Sequence, residues 1–150
     1  MNFEEFIRHK GKIASSKLDE FFASLEPVKA EELIGDWLGG YFPTGSKMEF
    51  WLKDFILFKW HGKSFLTLNH VKALIVSFLG IKCNIPGGTA VLRELKFRDK
   101  ISTSMIYNYL PIIDHFRKVD DNTVMGIMDC KGKISIYFYL KRRWPGKEVI

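Results

Sequence analysis

The sequence predicts a mainly β protein: an antiparallel β-barrel with short helices at its N-terminus and one helix across a mouth. Three observations carry this. Apolar residues at helical spacing are concentrated in the first third of the 150-residue chain. After His61-Gly62-Lys63, short β-rich runs alternate with clusters of turn residues. Those runs carry bulk on both faces, whereas a sheet with one dry and one wet face would alternate more cleanly.

Composition sets the frame. With 47% hydrophobic and 27% charged residues, the chain has apolar material for one core, and we read residues 1–150 as a single domain. The longest apolar stretch, Ala73 to Ile81, is broken by Ser77 and Gly80 and falls short of the ~20 residues a bilayer span needs. The start, Met1-Asn2-Phe3-Glu4-Glu5, lacks the pattern of a secretory signal, and two cysteines make no disulfide framework. A cytoplasmic location is therefore expected. The formal charge is +6, yet the only dense basic run is Lys141-Arg142-Arg143, without zinc-finger spacing, a basic heptad region or an RNP-like motif. Nucleic acid is not expected as a partner; transient contact with an anionic membrane surface is compatible with the charge.

The elements follow in order. Phe3, Phe6 and Ile7 are spaced i, i+3, i+4, and Leu18, Phe21, Phe22 and Leu25 repeat that spacing behind a Ser16–Asp19 capping pattern. Pro27 ends the second helix, and Val28 to Ile34 holds one more short turn before Gly35. Gly39 to Gly45, with three glycines and a proline, reads as a bend. Ser46 and Glu49 form a capping box for a helix over about 46–58, whose Met48, Trp51, Leu52 and Phe55 share a face. This aromatic helix is either core or a lid over an apolar cavity. Strands are expected at 65–69, 71–78, 89–98, 101–107, 112–119, 123–129 and 134–143. Asn84–Gly88, Asn108–Pro111, Asp120–Asn122 and Lys131–Lys133 are short enough to join them as antiparallel neighbours. Residues 1–34 thus form N-terminal helices, 35–144 the barrel with its helical insertion, and 145–150 a tail.

A meander of this length removes its edges by closing, and a small closed barrel either fills with side chains or holds one ligand. Thr103, Met105 and Tyr107 share one strand face, as do Ser135, Tyr137, Tyr139 and Lys141. His115, beside Asp114 and on the same face as Arg117, combines a near-neutral pKa with ligating capacity. We take His115, Arg117, Tyr107, Tyr137, Tyr139 and Met105 as candidate ligand-binding residues. His9, His61 and His70 lack metal-ligand spacing, so no metal site is expected, and Asp120, Asp121 and Asp129 read as turn chemistry. No nucleophile elbow, P-loop or dinucleotide fingerprint is present, and no catalytic residue is assigned.

Gly35-Asp36-Trp37-Leu38-Gly39 is a Gly-x-Trp-x-Gly motif. It is joined by Phe42-Pro43-Thr44-Gly45, Trp60-x-Gly62-Lys63, Ser104-Met105-Ile106-Tyr107, the run from Pro111 to Asp121, and Gly126 to Gly132. Together these resemble the GXWXG-type bacterial domains of unknown function over about residues 31–144. More distantly, the Gly-x-Trp start is similar to the calycins: lipocalins, fatty-acid-binding proteins and haem-binding nitrobindins. The resemblance implies a calycin-like barrel whose first strand starts at the motif. Trp37 plugs its closed end, Gly35 and Gly39 let neighbouring backbone approach, and Arg142 or Arg143 packs over the indole. The family implies no particular activity; the barrel reading gives binding of a small hydrophobic or amphipathic ligand in its interior as the expected function. The alternatives are a nitrobindin-like barrel holding haem through His115, an enzyme on a lipid-like or small organic substrate using His115 and Asp114, and a filled barrel with a purely structural role.

Overall fold

β-branched and aromatic residues between Trp60 and Arg142, interrupted by Asn, Asp and Gly at the turns, build one antiparallel sheet that closes on itself. The computed structural model describes residues 1–53 and 60–144. Four short helices, α1 (Phe3–Arg8), α2 (Ser15–Ser24), α3 (Ala30–Leu33) and α4 (Lys47–Leu52), accompany nine strands. These are β1 (Gly35–Phe42), β2 (Trp60–Thr67), β3 (His70–Phe78), β4 (Ile81–Asn84), β5 (Thr89–Phe97), β6 (Lys100–Tyr107), β7 (Ile112–Asp120), β8 (Thr123–Cys130) and β9 (Lys133–Arg142). The sheet runs β2-β1-β9-β8-β7-β6-β5-β3-β4, and an additional β2–β3 pairing closes eight strands into a barrel, leaving β4 outside on β3. The antiparallel barrel expected from the sequence is the fold observed.

Both faces of the barrel wall are covered by apolar groups. Inside, Trp37, Phe65, Leu92, Met105, Phe116, Phe138 and Leu140 pack with Val28, Ala30 and Leu33 of the α3 region. Outside, Met125, Ile127, Tyr137 and Phe42 pack against Phe3, Phe6, Leu18 and Phe22 of α1 and α2. This second cluster explains why the strands carry bulk on both faces.

The lower end is sealed by specific contacts. β6 and β7 pair only over Ser104–Ile106 and Ile113–His115. Below that, residues 26–28 enter the gap: Val28 O accepts from Thr103 N and from Thr103 Oγ1, Val28 N donates to Ser102 Oγ, and Lys118 N donates to Glu26 O. Trp37 Nε1 donates to Leu33 O at 2.8 Å, and the Arg142 guanidinium lies 4.3 Å from the Trp37 ring while donating to Ile34 O and Glu32 O.

Several local expectations need correction. Gly39 and Gly40 are not in a bend: β1 continues to Phe42, paired with β9 through Tyr137. The glycines are there for space, because a Cβ on Gly39 would lie 2.5 Å from the Trp60 ring. Helix α2 starts at Ser15 behind Ala14, with no side-chain cap, so the Ser16–Asp19 box does not form. The Ser46–Glu49 box does form. Strand β2 starts at Trp60 rather than residue 65, and β4 was not anticipated. The later part of the expected 46–58 helix, including Phe55 and Phe58, and the 145–150 tail lie outside the described residues.

Arg142→Ala removes two charge-assisted hydrogen bonds and the contact with Trp37, and is expected to lower unfolding free energy by about 2–4 kcal/mol in urea titrations.

Candidate functional site

Among the described residues, the upper half of the interior is not filled. A cavity of about 360 Å³ opens there, lined on its wall by Trp60, Lys63, Tyr107, Asp114, Met128 and Phe138 and at its mouth by Met48, Leu52, Ile85, Pro86 and Leu110. Its size lies toward the small end of ligand pockets, about 300–1,000 Å³. Helix α4 sits across the mouth, held by Ser46 Oγ donating to Ser135 O at 2.8 Å.

One polar cluster interrupts the apolar lining. Strand alternation places Lys63 two residues before buried Phe65 on β2, and Asp114 two residues before buried Phe116 on β7, so both point inward. Lys63 Nζ lies 3.1 Å from Asp114 Oδ2, and both side chains are essentially solvent-inaccessible. The same Nζ donates to Ala73 O at 3.1 Å and to Tyr107 Oη at 3.4 Å, and sits 5.2 Å from the Trp60 ring and 5.3 Å from the Phe138 ring. Burial pushes the Lys63 pKa down and the Asp114 pKa up, and their mutual attraction opposes both shifts. Burial also drives the Tyr107 hydroxyl well above its usual range, so it remains a neutral phenol. Asp114 Oδ1 is buried and has no hydrogen-bond partner among the described residues. Such an orphaned acceptor costs about 1–3 kcal/mol or more when charged.

The structure distributes the six candidate ligand-binding residues over two sides of the wall. Tyr107 lines the cavity, and Met105 is packed in the interior core just below it. The other four side chains lie outside. The His115 ring stacks on Phe97 at 3.7 Å, with Nδ1 bonded to Ser104 Oγ and Nε2 to Asp129 Oδ2. Arg117 donates to Phe22 O and Phe97 O, with its guanidinium 4.3 Å from the Phe22 ring. Tyr137 Oη donates to Asp19 Oδ1 at 2.7 Å, and the Tyr139 ring packs on Phe3 and Phe42. Arg117, Tyr137 and Tyr139 therefore receive α1 and α2, while His115 is held by neighbouring strands. Two consequences correct the sequence reading. His115 is turned away from a haem inside the barrel, and His115 and Asp114, on opposite faces of β7, do not share one site. Lys63 escaped notice because the strand was expected to begin at residue 65; extending the alternation back from Phe65 would have turned it inward.

The architecture is thus a closed eight-stranded antiparallel barrel with a plugged floor, a helix over the mouth and one buried polar cluster in an apolar chamber. The particular family follows from comparison. Residues 20–78 match the GXWXG protein family, and residues 88–142 match the Domain of unknown function (DUF4334). A crystal structure of a protein from Thermomonospora curvata is 36% identical, with a TM-score of 0.80, covering 89% of this chain and 90% of that one. The chain belongs to the same family as that protein, with a GXWXG segment followed by a DUF4334 segment. No curated protein matches it.

Two outcomes follow. Lys63→Met strands a buried carboxylate and should cost about 3–5 kcal/mol in urea unfolding, whereas Lys63→Met/Asp114→Leu together should recover most of that loss. Burial holds the His115 pKa below its ordinary value of about 6.5, so the unfolded chain binds the proton more readily. Stability contributed by His115 should therefore fall as pH drops through that ordinary value, and His115→Gln should flatten this part of the pH profile.

Proposed function

We propose that the barrel binds a small, mostly apolar molecule carrying one hydrogen-bond donor, a hydroxyl or an N–H. The observation that carries this reading is Asp114 Oδ1, buried without a hydrogen-bond partner among the described residues, on a side chain that lines the apolar cavity. The cavity wall supplies affinity by taking apolar surface out of water, at ~25 cal/mol per Å². The donor on the ligand completes the coordination of Asp114, while Lys63 holds the other carboxylate oxygen in place. Tyr107, already accepting from Lys63, retains its own O–H as a donor toward the ligand's polar end. Binding and orientation by these three groups require no reaction step. The haem and His115/Asp114 enzyme alternatives have less support, since the His115 ring is held on the opposite face by Ser104, Asp129 and Phe97.

Calorimetric titration with octan-1-ol and with 1-methoxyheptane, a similar-sized ether without a donor, tests the reading. The alcohol should bind about 10-fold or more tightly, and Asp114→Asn should largely erase that preference while leaving the ether's affinity nearly unchanged. Equal affinities for the two molecules in the wild-type protein, or no uptake of either, would overturn it.

A further inference from the structure

Antiparallel pairing around the barrel sends successive turns to alternate ends, which divides the exposed residues into two groups. The cavity-mouth end comprises α4, the β3–β4 hairpin and the β6–β7 and β8–β9 turns. It exposes large apolar side chains: Phe50 and Trp51 on α4, Leu79 and Ile81 at the hairpin, and Tyr109 beside Leu110. Trp51 is 75% and Leu79 86% exposed. On the other side of the same short helix, Met48 and Leu52 line the cavity. Helix α4 therefore presents apolar groups both to the chamber and to solvent, where a mere cover would turn polar groups outward.

Among the described residues, the exposed charge at this end has one sign. Lys47, Lys53, Lys82, Lys131 and Lys133 are exposed there. The two carboxylates near the mouth among the described residues are occupied: Glu49 is buried and accepts from Thr44, Gly45 and Ser46, and Asp129 accepts from His115 and from Gly132 N. Exposed acids gather at the opposite end, at Glu31, Glu32, Asp99, Asp120 and Asp121. No helix of the described residues is long and apolar enough to cross a membrane.

We propose that the cavity-mouth end docks onto anionic lipid bilayers, with the apolar rim in the interface and the lysines on the headgroups. Loading of the cavity from the bilayer through this docked mouth rests on the ligand-binding reading; the docking itself does not. Trp and Tyr favour the interface, and lysine stems lie along apolar surface while the ammonium reaches the headgroups. The lysines also distinguish the occupant, because a second copy placed mouth to mouth would oppose two like-charged rims.

Flotation with vesicles of three parts phosphatidylcholine to one part phosphatidylglycerol tests the proposal, with pure phosphatidylcholine as comparison. The protein should float with the anionic vesicles, far less with the neutral ones, and should be released at about 0.5 M salt. Lys82→Glu/Lys133→Glu should reduce binding at least about tenfold, from roughly fivefold per lysine. Trp51→Ser/Leu79→Asn should do likewise. All four positions are exposed, so far-UV thermal melts and octan-1-ol binding in solution should stay at wild-type values. Failure to float, equal flotation with neutral vesicles, retention by both variants, or a rim-dependent dimer in sedimentation would each overturn the proposal. Protein that floats but takes up no alcohol refutes the cargo reading alone; protein that takes up alcohol but never floats refutes the docking alone.

Discussion

Closure of eight strands is the constraint from which the remaining architecture follows. Once β2 pairs with both β1 and β3, the enclosed strands have no free edge, but the wall acquires an inner and an outer surface that must each be settled. The outer surface between β7 and β1 is settled by α1 and α2. The floor is settled by residues 26–28, α3 and Trp37, which bring hydrogen bonds to the splayed ends of β6 and β7. Among the described residues the upper interior has no such plug, and the chamber results.

That chamber places Lys63 and Asp114 under unusual conditions. Desolvation acts against charge on both, and their proximity acts against separation, so the pair is held together by the apolar wall as much as by its own attraction. The ammonium has three oxygen partners; the carboxylate has one oxygen satisfied and one not. That imbalance is what the proposed ligand's donor would relieve, in a medium where a hydrogen bond is worth more than at a surface.

Several features were legible in the residues. The meander, the turn positions, the Ser46–Glu49 cap, the short helix before Gly35 and the alternation of β6, β7 and β9 all depend on local chemistry that acts within a few residues. Others were not. Gly39 and Gly40 signalled a bend until the Trp60 and Tyr139 rings, distant in sequence, were seen to occupy the space a Cβ would take. Alternation sorted His115 and Arg117 from Asp114 and Phe116, but it did not label either face as inner. Histidine, arginine and tyrosine are the ligand-contacting types the sequence offers, while Lys63 stands in it only as part of the Trp60-x-Gly62-Lys63 motif.

The sequence by itself therefore determined an antiparallel barrel with helical additions, because strand period, turn residues and caps are read over short distances. Only the tertiary structure decided which face encloses the cavity and which receives α1 and α2. That choice depends on where the N-terminal segment docks, and so on contacts such as Tyr137 with Asp19 and Arg117 with Phe22, each joining residues about a hundred positions apart. The same closure buried Lys63 against Asp114, a pairing between β2 and β7 that no local pattern encodes.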